Sequence, residues 1–151
     1  MIADNNDLIC EDIMKLLVQF KTGLTKIADT YGLTNIQTHA LYILDHEGSI
    51  ATGKVATALH CDASNVTGII DRLVLIGLVE RHEDLQDRRA KKLKLSTKGK
   101  NIIKKFSMRL PDELGISKLS NDQTSAIHEA LQMLLESSNS DQTTSELVVS
   151  D

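Results

Sequence analysis

Apolar residues recur at spacings of three and four along most of the chain, and the period changes in only one stretch. Ile9, Ile13, Leu16, Leu17, Phe20, Leu24, Ile27, Ala28 and Tyr31 fall on one face of a long helix that ends at Gly32. Thr34 is a suitable N-cap for a second helix, striped by Ile36, Ala40, Leu41, Ile43 and Leu44 and stopping near Gly48. Ser49-Ile50-Ala51 is too short to stand alone but can add a third strand to a hairpin elsewhere. Thr52 is expected to cap a short helix carrying Val55, Ala56 and Leu59, and His60-Cys61 form a turn. Asp62 then caps a helix on which Val66, Ile69, Ile70 and Leu73 follow the i, i+3, i+4, i+7 rule, with Gly77 at the left-handed closing position.

Past Gly77 the pattern shifts. Leu78 to His82 and Lys92 to Leu95 read as two strands, the second alternating polar and apolar residues, with a polar basic segment between them. Thr97 starts a helix through Ile102, Ile103 and Phe106 to about Leu110, where Pro111 is expected to interrupt it. A final amphipathic helix follows Ser120, with Ile127, Leu131, Leu134 and Leu135 on one face, and the polar tail from Ser137 is expected to be disordered.

The fold class is therefore mainly α with a small β-hairpin wing (α+β), a winged helix-turn-helix flanked by N- and C-terminal helices. The chain 1–151 reads as one domain, with outer helices at 7–33 and 98–137 around a lobe at 34–97. Within that lobe the helix-turn-helix occupies 52–77 and the wing 78–96, and a tail follows at 138–151. The two outer helical segments carry wide apolar faces and lie far apart in sequence. They have each other to pack against and, more fully, those of a second chain, so a homodimer is expected.

Composition agrees with this reading. Hydrophobic residues make up 41% and charged residues 25%, while aromatics reach only 3% and there is a single proline, which favours helices over a β-sandwich. A chain of this size buries roughly 70% of its unfolded surface and needs no disulfide or metal to fold. No apolar run approaches the ~18 residues of a membrane span. The acidic start lacks a signal-peptide layout, and Cys10 and Cys61 form no CxxC pair, so a reducing cytoplasm is expected.

Charge alters the picture more. The net charge is −4, yet between Arg72 and Lys105 eleven basic residues face four acidic ones, a local +7 that leaves −11 on the rest. Such polarity suits a polyanion on one face. A helix-turn-helix braces its second helix so that the exposed face enters the major groove. Here that face carries Ser64, Asn65, Thr67 and Gly68, short enough for close approach and able to exchange hydrogen bonds with bases and phosphates. Thr52 and Lys54 on the first helix, Arg72 and Lys91 join the DNA-facing set. Asp71, being acidic, is assigned to the margin or to an internal ion pair. Helix N-terminal amides near Asp62 to Ser64 are expected to hold a phosphate. Arg88 and Arg89, beside Asp87, suit the enhanced negative potential of a narrow minor groove.

Residues 62–100, DASNVTGIIDRLVLIGLVERHEDLQDRRAKKLKLSTKGK, carry several linked motifs in order: recognition helix, Gly77-Leu78-Val79-Glu80-Arg81, Asp87-Arg88-Arg89 and Leu95-Ser96-Thr97-Lys98-Gly99. In these the chain, from about Asp7 to Ser137, resembles the multiple antibiotic resistance regulator (MarR) family. The resemblance implies an obligate homodimer joined through its outer helices and bound to double-stranded DNA at a pseudo-palindromic operator. It also implies a repressor released by a small phenolic or other aromatic effector, in a pocket between the dimerisation helices and the DNA-reading lobe. Met14, His39 and Tyr42 are the candidates to line it.

Some relatives sense organic hydroperoxides through a cysteine near the start of the first helix, the place of Cys10. Tyr31 and Tyr42 do not match the activating tyrosines of those relatives, and Glu11 and Asp12 oppose a thiolate, so a buried or inert cysteine is expected. The histidines are scattered without metal-ligand spacing, and no metal or cofactor is expected. No nucleophile motif or phosphate-cradling glycine loop is present, which argues against an enzyme. A winged-helix protein–protein adaptor is the remaining alternative, though it has no need of the basic wing.

Overall fold

The computed structural model describes residues 4–83 and 91–145, with side chains up to residue 138. Residues up to Leu114 form one compact unit and those from Gly115 a second.

In the first unit, α1 (Asn5–Asp29) precedes α2 (Asn35–Glu47), which Thr34 opens with a full capping box: its hydroxyl accepts from the Gln37 amide, and the Gln37 side chain accepts from the Thr34 amide. β1 (Ile50–Ala51) runs straight into α3 (Thr52–Ala58), and α4 (Ala63–Leu75) follows a short turn. The cap of α3 is Ala51, not Thr52: pairing of Ala51 with Lys92 holds it extended, and the helix starts at the next residue. β2 (Val79–Glu83) and β3 (Lys91–Leu95) pair antiparallel, and β1 adds to the far side of β3, giving the sheet order β1-β3-β2. The third strand expected from Ser49-Ile50-Ala51 is thus present.

The core is built from one face of each element. Ile27 of α1, Leu41 and Leu44 of α2, Val55 of α3, Val66, Ile70 and Leu73 of α4, and Leu93 of β3 are all essentially inaccessible. Only the last part of α1 shares in it, through Gly23, Leu24, Ile27 and Ala28. The apolar residues before that, Leu8, Ile9, Ile13, Leu16, Leu17 and Phe20, are exposed.

Helix α5 (Thr97–Glu113) continues through Pro111, where an end was expected near Leu110. Tertiary contacts hold its last turn: Arg109 donates to the Thr30 hydroxyl at 3.1 Å, Lys26 pairs with Glu113 at 3.7 Å, and Leu110 packs against the core. These outweigh the hydrogen bond a proline removes.

The start of α5 also closes the end of α4. Lys98 Nζ donates to the Ile76 carbonyl at 2.9 Å, Ser96 Oγ to that of Gly77 at 2.7 Å, and the Ser96 amide to that of Leu78 at 3.0 Å. The same Ser96 oxygen accepts from the Gly99 amide at 3.0 Å and so caps α5. Three carbonyls left over at the end of one helix are satisfied by the first turn of another, a small lock between α4 and α5.

In the second unit a short 3-10 turn (Ile116–Lys118) leads to α6 (Asn121–Ser145), opened by a Ser120–Gln123 capping box. The helix extends into the 138–151 segment expected to be disordered. Ile127, Leu131, Leu134 and Leu135 of α6 are exposed.

Candidate nucleic-acid interface

Helix α3 braces α4 through Val55 and Ala56, against a face of α4 that buries Val66, Ile70 and Leu73. The opposite face of α4 presents Ser64, Asn65, Thr67 and Gly68, all exposed. Gly68 has open space around it, so the backbone is bare at the centre of that face.

The chemistry this face offers is narrower than the residue types suggest. The Asp62 carboxylate accepts from the Asn65 amide at 3.0 Å, from Asn65 Nδ2 at 3.0 Å and from Ser64 Oγ at 2.8 Å. Thr67 Oγ1 donates to the Ala63 carbonyl at 2.8 Å. Ser64 and Thr67 therefore face outward as acceptors, whereas Asn65 keeps its amide oxygen and one N–H. Of the helix amides expected to hold a phosphate, the Asn65 N–H is already engaged by the Asp62 carboxylate.

The Asn65 amide above all, then the Ser64 hydroxyl, hold the Asp62 carboxyl below its ordinary value of 3.8. A carboxylate whose pKa falls on folding stabilises the fold fully above its unfolded value, and that stabilisation disappears as pH drops through the folded one. Thermal midpoints measured between pH 5 and pH 2 are expected to fall more steeply for the wild type than for Asp62→Asn, which keeps a neutral cap. Parallel curves would remove Asp62 from the acid response.

The remaining DNA-facing candidates lie around this helix. Thr52 is half-buried at the start of α3, and Lys54 is exposed one residue further on from Gly53. Arg72 is exposed on α4, and Lys91 opens β3 opposite Glu83. Asp71 forms an ion pair with Arg81 on β2, so the acidic residue on the recognition helix ties it to the wing. The wing base is further fixed by the cross-strand pair Lys94–Glu80 at 3.3 Å and by His82 Nε2 against Ser49 Oγ at 2.8 Å. Arg88 and Arg89, with Asp87, lie outside the described residues.

Of the effector candidates, His39 and Tyr42 line a groove of about 440 Å³ on the outer side of α2, together with residues of α3; Met14 is not among its lining residues. Cys10 is exposed, so of the buried or inert cysteine expected only the inert alternative stands, and Cys61 packs partly against the core. Among the described residues no cluster of three or more metal-ligating side chains occurs, and no helix is long and apolar enough to cross a membrane.

Residues 33–91, spanning α2 to the first residue of β3, match the model of the MarR family. An organic hydroperoxide resistance transcriptional regulator of Bacillus subtilis (strain 168) is 29% identical over 119 residues, covering 78% of each chain. The helix-turn-helix-type transcriptional regulator YfiV of the same organism, itself uncharacterised, is 29% identical over 102 residues, or 65% of this chain and 62% of YfiV. Among solved structures, a cysteine-to-serine mutant of Escherichia coli MarR complexed with operator DNA superposes with a TM-score of 0.65 at 24% identity, over 88% of this chain and 99% of that one. Over residues 33–91 the chain is similar to the MarR family. It carries the winged helix-turn-helix fold of these transcriptional regulators.

Sequence reasoning missed the lock formed by Ser96, Lys98 and Gly99. The motif Leu95-Ser96-Thr97-Lys98-Gly99, read as a family signature, proves to be a structural joint behind the recognition helix. The partner of Asp71 was also missed, although an internal ion pair was the expectation for it.

Proposed function

We propose that this chain is a regulator of the MarR family: a homodimeric, sequence-specific DNA-binding repressor, not an enzyme, acting in the cytoplasm on a pseudo-palindromic operator and released by a small ligand. The observation that carries the reading is the exposed polar face of α4, Ser64 to Gly68, with a basic wing following it. A partner chain is supported by the apolar residues left exposed on α1 and on α6. Covering them against a second copy satisfies the hydrophobic effect that one chain leaves unsatisfied. Two recognition helices related by a two-fold axis would read half-sites about one turn of DNA apart. Release by a ligand is supported by the groove beside α3.

Similarity to a hydroperoxide-resistance regulator does not by itself make Cys10 a sensor. The adaptor alternative is set aside on the same basic wing.

Selection of bound duplexes from a random-sequence pool tests the proposal. The expected product is a near-palindrome whose preference at one position per half-site is lost with Asn65→Ala, a change of about 1–3 kcal/mol at that base pair. A pool that shows no enrichment by the wild type would overturn sequence-specific binding and favour the adaptor.

A further inference from the structure

The side-chain amide of Asn65 is held in one orientation by the residue that caps its helix. Asp62 accepts from the Asn65 backbone N–H through one carboxylate oxygen and from Nδ2 through the other, both at 3.0 Å. These bonds hold the Asp62 carboxyl below its ordinary value, so it is ionised at neutral pH. An ionised carboxylate only accepts, so it takes the nitrogen end of the amide and never the oxygen end. Because the same group also holds the main-chain N–H, it lies on the backbone side of the amide and engages the Nδ2 hydrogen trans to Oδ1. What remains is Oδ1 with the N–H cis to it, an acceptor and a donor side by side on an exposed residue. The neighbours leave this edge clear. Ser64 and Thr67 are bonded back onto Asp62 and the Ala63 carbonyl at 2.8 Å each, and Gly68, one turn further along, has open space around it.

The four bases answer that edge differently in the major groove. Adenine offers the N6 amino donor beside the N7 acceptor, which satisfies both groups of the amide. Guanine offers two acceptors, O6 and N7, so Oδ1 would face another lone pair. Cytosine gives a donor alone, and thymine an acceptor beside a methyl group. An asparagine free to turn its amide over can give both Nδ2 hydrogens to guanine. Here one of them is already committed to Asp62. We infer that Asn65 reads an adenine in each half-site, and that Asp62 is the positioning residue that excludes guanine by fixing the Asn65 amide. The inference rests on the DNA-binding reading given above and adds to it the base that is read.

The test uses duplexes selected from a random-sequence pool by the full chain, with binding followed by fluorescence anisotropy. Each half-site is expected to contain one A·T pair whose preference disappears in Asn65→Ala while the other positions keep theirs. Two replacements are then made at that adenine: guanine, and 7-deazaadenine, which keeps base pairing and the N6 amino group but lacks N7. Either is expected to weaken the wild type by about tenfold per half-site, and Asn65→Ala by about twofold or less. Asp62→Asn keeps a helix cap but offers no second acceptor to Nδ2, and its preference for adenine over guanine is expected to fall to about threefold or less. A merely structural defect would weaken both duplexes alike and leave that ratio where it was. No Asn65-dependent position, one that prefers another base, or an equal cost of 7-deazaadenine to wild type and Asn65→Ala would overturn the adenine assignment and leave DNA binding standing. An unchanged ratio in Asp62→Asn would overturn the part given to Asp62. A pool without enrichment by the wild type would overturn the DNA-binding reading and this inference with it.

Discussion

Gly99→Ala is expected to destabilise the protein by about 2–3 kcal/mol, the scale of overpacking at a backbone contact that cannot yield. Elsewhere in a helix the same change stabilises by up to about 1 kcal/mol, because glycine loses more backbone freedom on folding. The sign reverses here because a Cβ on Gly99 would sit 2.2 Å from the carbonyl oxygen of Leu78 and 3.2 Å from its carbon. That oxygen cannot swing aside. It accepts the Ser96 amide, and Leu78 itself is 1% exposed. Moving it means moving the end of α4, so DNA affinity is expected to fall together with stability. Urea unfolding of the variant beside Gly53→Ala checks this. Gly53 has open space around the missing Cβ, and a small gain is expected there. A Gly99→Ala protein as stable as the wild type would mean that the two helices do not approach so closely.

This close approach also shows which features are legible from sequence and which are not. The caps at Thr34 and Asp62 and the helix ends at Gly48 and Gly77 are local chemistry, decided within about one turn of chain, and their residue types reveal them. The engagement of Ser64 and Asn65 by Asp62 was open to the same reasoning, since all three lie within four positions. What escapes is decided across longer distances. Ala51 displaces Thr52 as a cap because a strand far downstream, at Lys92, holds it extended. Pro111 fails to end α5 because Thr30 and Lys26, far earlier in the chain, anchor the turn that contains it. The groove on α2 brings together residues 39 to 58 only after α3 has folded against α2. Neither periodicity nor capping preference carries such information, so the helices were readable while the joints between them were not.

Replacing Arg88 and Arg89 together by alanine is expected to weaken binding of a selected duplex by ~100-fold or more, with a shallower dependence on salt. Between β2 and β3 these two carry positive charge that the acidic remainder of the chain does not supply, within the local excess of +7. Each cation that leaves the phosphate backbone reduces the salt slope by about 0.9, and a dimer losing one such contact per chain should lose roughly 2. The charge-preserving pair Arg88→Lys and Arg89→Lys separates two ways of using that charge. Lysine keeps the counterion release but not the planar, weakly hydrated head that suits a narrow minor groove. The lysine pair is therefore expected to keep the salt slope and lose preference for the bases flanking each half-site. Full affinity of the alanine pair at about 0.15 M salt would place the reading surface on α4 alone, because at that ionic strength only close contacts escape screening.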